Sequence, residues 1–143
     1  PVNPVRHAVH VRCPVPHAFA VFTERVDEWW PPSHRRDGGT VVLKPGVNGR
    51  LVEQGRDGSE RVLGTTAAWT PPTELAFDWH LGATAQTATR VTITFSRAGE
   101  GTDVQVLHVE GPRSLPDWAS TARIFTRAWS HLMTAFTAAA ESP

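Results

Sequence analysis

The chain has little of what staples, anchors or metallates a protein. Cys13 is its only cysteine, so no disulfide can close within it. Tyrosine is absent, and Lys44 is the only lysine, every other basic residue being arginine. No run approaches the roughly 18 apolar residues of a membrane span, and the opening PVNPVRHAVHV has no apolar centre of a secretory signal. Neither charge is in excess, with 14 Lys and Arg against 14 Asp and Glu. That balance argues against nucleic acid or an anionic membrane as the main partner, because both select a basic face. These absences leave a cytoplasmic protein as the expectation, with Pro1 as the residue that trimming of an initiator Met would expose.

Chemical signatures are missing too. There is no HxH, HExxH or CxxC, so no metal site is expected. His7 and His10 are three apart on a strand-like stretch and point to opposite faces. RDGGT and AGEGT do not join a strand to a helix, which makes them turns rather than phosphate loops. Ser33, Ser114 and Ser130 lie in no GxSxG context. Asp27 and Glu28 read as solvated charge, and Asp78 and His80 flank Trp79 facing away from it. Nothing here assembles a catalytic constellation or calls for a cofactor.

What is present is an amphipathic pattern whose period changes twice. Residues 5 to 13 alternate, with Val5, His7, Val9, Val11 and Cys13 on one face, as a half-buried strand does. PVPHAFAVFTERVDEWW then repeats at three and four, predicting one or two short helices that Pro31 and Pro32 end. From GTVVLKPG to TDVQVLHVEG the period returns to two, broken by turn signals such as RDGS, TPPTE and AGEG. Trp118, Ala122, Phe125, Trp129, Leu132, Met133 and Phe136 restore the helical period, and Pro116 and Asp117 open that helix. The predicted class is α+β. A curved antiparallel sheet of about six to seven strands wraps around a long C-terminal helix, with two short helices after the first strand, as one domain over 1–143.

Six Trp and six Phe are many rings for one domain of 143 residues. Buried indole N–H groups want partners, which a cavity or ligand between sheet and helix would supply. The expected lining is Trp30, Trp69, Phe77, Trp79, Phe95, His108, Trp118, Phe125, Trp129 and Met133. His108 is in phase with Val104 and Val106 and points towards the helix. It is either a ligand contact or acid–base group, or a buried histidine satisfied by its neighbours. Of the adjacent pair in DEWWPPSH, one indole anchors the short helix and the other lines the cavity mouth.

Three stretches, VPHAFAVFTERVDEWWPP, GTTAAWTPPTELAFDW and VTITFSRAGEGTDVQVLHVEG, resemble the Hsp90-ATPase-activator homologue (AHSA1-like) branch of the START-like helix-grip superfamily. The resemblance covers essentially the whole chain and implies the helix-grip fold. It implies a protein that holds an apolar or aromatic small molecule. It leaves open a cyclase or dehydratase-type enzyme using His108 as acid–base group, and an Hsp90-type co-chaperone module with a chaperone partner. A homodimer also stays open.

Overall fold

The computed structural model describes residues 4–35, 39–80, 89–110 and 118–142. Their order is β1 (Val5–Val11), α1 (Val15–Thr23), α2 (Val26–Trp29), a 3-10 turn (Pro32–His34), β2 (Thr40–Leu43), β3 (Arg50–Gln54), β4 (Glu60–Thr70), β5 (Glu74–Trp79), β6 (Thr89–Ala98), β7 (Gly101–Val109) and α3 (Trp118–Ala140). Seven strands, two short helices and one long one match the expectation from the sequence. The predicted start of the long helix, Pro116 and Asp117, lies outside the described residues.

The sheet order is β1-β7-β6-β5-β4-β3-β2, antiparallel throughout. Strands β2 to β7 form a meander, and β1 lies beside the last of them. Since β1 and β2 are opposite edges, α1 and α2 carry the chain from one edge to the other across the concave face. Local chemistry makes the corners. In the β3–β4 turn the Asp57 carboxylate accepts from the Ser59 N–H and hydroxyl at 2.9 and 2.6 Å, while Gly58 takes a φ of 85° that a side chain would resist. Register shifts at Leu51/Val52 and Thr66/Ala68 are bulges, which bend a sheet. The result is a curled half-barrel.

Period two decides what faces the helices. Leu75, Phe77 and Trp79 on β5, Val91, Ile93 and Phe95 on β6, and Val104, Val106 and His108 on β7 are all buried. On α3 the buried stripe is Trp118, Trp129, Leu132, Met133, Phe136 and Ala140. The middle of the core is an aromatic cluster. Phe22 meets Phe95, Phe136 and Trp29 at centroid distances of 5.8, 5.5 and 5.1 Å, in the range favoured by edge and tilted ring contacts. No helix among the described residues is long and apolar enough to cross a membrane.

Candidate functional site

The double tryptophan resolves into two directions. Trp29 closes α2, and Trp30 leaves it with φ −62° and ψ 117°, the extended shape a residue before proline is driven into. Trp29 turns inward. Its Nε1 donates to the Val21 carbonyl at 2.9 Å, and its ring packs on Phe22 and Phe136. Trp30 turns the other way, onto Trp79 at 6.1 Å. The corner is held by Arg35, a residue the sequence reading did not single out. Its guanidinium donates to the Trp30 carbonyl at 3.0 and 2.7 Å, to the Asp27 carboxylate at 2.7 Å and to the Gly39 carbonyl at 2.8 Å. Burial pushes the Asp27 carboxyl up, but the bonds from Val41 N–H and Arg35 outweigh it and hold the group below the usual carboxylate range. Lysine has no planar fork to serve these acceptors together. Arg35→Lys is therefore expected to cost about 1–3 kcal/mol, read as a lowered urea midpoint with unchanged m.

Between this corner, the end of β5 and the first half of α3 lies a pocket of about 600 Å³. Its walls among the described residues are Trp30, Trp79, Phe125, Trp129, Ile124, Ala128 and Leu132. His34, Thr121, Arg127 and His131 stand at its polar side. The volume falls within the range that takes a drug-sized ligand. The apolar arc of α3 is wide enough for two jobs. Trp129, Met133 and Phe136 face the core, while Thr121, Ile124, Ala128 and Leu132, spaced three and four apart, face the pocket. Ile124, 66% exposed, is one of two large hydrophobics left in solvent among the described residues. Ile124, Ala128 and Leu132 are visible in the sequence as a second apolar row at a spacing of four.

Of the residues expected to line a cavity, Trp30, Trp79, Phe125 and Trp129 meet at this pocket. The others lie elsewhere. Phe95 and Trp69 pack against Phe19 of α1 at 5.3 and 5.6 Å. Phe77 and Met133 are fully buried in the core. Trp118 backs Phe125 at 6.2 Å. The physical reason is that α1 and the rings it carries fill the middle of the concave face, which displaces the open space towards α3 and Trp30.

His108 lies one layer behind the pocket wall, with its side chain fully buried. Trp129 Nε1 donates to its Nδ1 at 3.0 Å, and its Nε2 lies 2.6 Å from the Thr89 hydroxyl. An indole N–H can only donate, so Nδ1 is the bare nitrogen and Nε2 carries the proton that goes to Thr89. Burial pushes the imidazole down to about 3. It is a neutral ring with both nitrogens committed to protein partners, stacked on Phe125 at 4.0 Å. That geometry matches the satisfied-histidine alternative. Among the described residues no group of three or more His, Cys, Asp and Glu is placed to hold a metal ion.

The family model described as activator of Hsp90 ATPase homolog 1-like protein matches residues 12–141. No curated protein matches the chain by sequence. Solved structures do resemble it. The self-sacrificing resistance protein CalC from Micromonospora echinospora is 26% identical with a TM-score of 0.71, covering 96% of this chain and 94% of its own. The anthrahydroquino-γ-pyrone synthase Txn09 is 29% identical with a TM-score of 0.65, covering 96% and 97%. The Aha1 dimer of Colwellia psychrerythraea is 10% identical with a TM-score of 0.71 over 98% and 97%, a likeness of fold alone.

Proposed function

The chain belongs to the activator of Hsp90 ATPase homolog 1-like family, and from that premise we propose that it is a small-molecule binding protein whose apolar or aromatic ligand occupies the pocket of Trp30, Trp79, Phe125 and Trp129. The observation that carries this reading is the pocket itself. Four large rings and three aliphatic side chains surround about 600 Å³ of open space, although neighbouring rings fill the rest of the concave face. Large apolar side chains left bordering solvent in a protein of this size mark a site for a partner. One continuous sheet and one core cluster support treating 1–143 as a single domain.

A second reading is an enzyme acting on a ligand of the same kind, favoured by the 29% identity to a pyrone synthase. In that case the acid–base group is not His108, which is inside the wall with no free nitrogen. The family name alone supports a chaperone-linked role, and no feature of the pocket calls for it.

The test is titration with the neutral aromatic 2-naphthalenemethanol, followed by tryptophan emission. Quenching should saturate, since Trp30, Trp79 and Trp129 all border the pocket. Ile124→Glu places a charge on an apolar wall at an exposed position and should weaken binding by about tenfold or more, a charge being costly to desolvate. Recovery of the compound unchanged after long incubation supports the binding protein over the enzyme. Non-saturating quenching that is indifferent to Ile124→Glu would sink the proposal.

A further inference from the structure

The polar side of the pocket is basic. His34 projects from the 3-10 turn, and Arg127 and His131 stand four apart on α3, one turn from each other on the same face. His34 Nε2 and His131 Nδ1 are 3.2 Å apart, so one nitrogen donates to the other across the mouth. No carboxylate is among the described lining residues. Arg127 forms no ion pair with a described residue, unlike Arg12, Arg25, Arg35, Arg61 and Arg90, which all do. An apolar slot whose described ionisable residues are an arginine and two histidines complements a ligand that is flat and apolar along its body and negative at one end.

We propose that His34, Arg127 and His131 form an anion-holding rim, so that the pocket takes an aromatic ligand carrying one ionised oxygen group. This rests on the binding-site reading above and adds the ligand's charge to it. An ionised oxygen inserted at the mouth accepts from the Arg127 guanidinium and from the histidine pair, as charge-assisted hydrogen bonds. The His34 imidazole alone resists a second proton. Burial, then the charge of His131, holds His34 below its ordinary range. Among the described residues, Arg35 beside His34 is neutralised by Asp27 in a 2.7 Å ion pair. An anion at the rim supplies the missing counter-charge, so ligand binding and proton uptake by His34 support each other.

The experiment compares two probes of equal size, 2-naphthoate and neutral 2-naphthalenemethanol, by tryptophan quenching at low salt. The expected result is about tenfold tighter binding of naphthoate, modest because the rim is partly exposed and screened. The ratio should grow as the pH falls from 8 to 6, where the carboxylate stays ionised and the bound anion draws a proton onto His34. In Arg127→Gln/His131→Gln the ratio should fall to about one. Both side chains are exposed, and a matching far-UV spectrum checks that the variant is folded. Equal affinity of both probes for the natural protein overturns the rim while leaving the pocket reading intact. A naphthoate preference that survives in the double variant also overturns the rim, because the anion is then held elsewhere. Failure of both probes to bind overturns the pocket reading and the rim with it.

Discussion

Trp129→Ala is expected to lower the stability of the fold by about 3–5 kcal/mol, the range for deleting a large buried aromatic side chain. Trp129 is 2% exposed and packs on Trp79 at 5.6 Å, so its removal opens a void that joins the pocket. It also removes the donor to His108 Nδ1 and leaves a buried acceptor without a partner. Trp129→Phe separates the two contributions. It keeps most of the ring volume and loses only the N–H, so about 1–3 kcal/mol should go, the cost of one orphaned buried polar group plus a small void. Urea denaturation measures both, and an unchanged m shows that the native state alone was affected. A loss below about 2 kcal/mol for the alanine variant would mean that the indole's surface is already largely unpacked. Trp129 would then be a pocket wall only, and not a joint between wall and core.

The alternation of period was enough to read the architecture from the sequence, because burying one face of a strand leaves a mark at every second residue. Phe77, Phe95 and His108 were placed on the helix-facing side of the sheet by phase alone, and all three are buried there. Phase does not say which inward residues touch one another. Phe95 meets Phe19 and Phe22 because α1 crosses the sheet above it, and that crossing angle leaves no periodic trace. The same limit hid the polar rim. His34 and His131 are 97 residues apart and become neighbours only when the Pro31–Pro32 corner is laid against α3.

Arg35 illustrates a second kind of illegibility. In the sequence it is one arginine among many. In the fold its side chain is 12% exposed, because the corner around the two prolines leaves the Trp30 and Gly39 carbonyls for it to satisfy. A buried carbonyl needs a donor, and the nearest long donor takes the post. Trp30 owes its position on the pocket wall to that bond network as much as to its own ring contacts. The double tryptophan thus works as a wedge with two unlike faces. Trp29 fixes α2 to the core, and the proline that follows turns Trp30 to the pocket side.

Between pH 6.5 and 5 the natural protein is expected to lose stability that His108→Gln does not lose. The sign follows from His108. Its folded-state value lies at about 3, below the ordinary value of about 6.5 that the unfolded chain shows. Above 6.5 both states carry a neutral ring and the group has no effect on the pH dependence. Below 6.5 the unfolded chain takes up the proton and the folded protein does not, so unfolding is favoured progressively until the pH nears 3. The slope contributed by this one group approaches about 1.4 kcal/mol per pH unit once the unfolded ring is fully protonated. Carboxylates held low by partners, such as Asp27 and Glu141, act in the same direction. Their contribution is present above their unfolded values near 4 and fades below them, so the window from 6.5 to 5 isolates histidine. His34, also held low, adds a smaller part of the same sign, and His34→Gln measures it separately. His108→Gln is itself less stable at neutral pH, since one amide cannot reproduce both the bond from Trp129 and the bond to Thr89. Its curve should start lower and fall less as acid is added. Denaturation midpoints at pH 7, 6, 5.5 and 5 for the three proteins decide the matter. Parallel curves for the natural protein and His108→Gln would show that His108 gains its proton in the folded state, and the buried Trp129–His108–Thr89 chain would have to be abandoned.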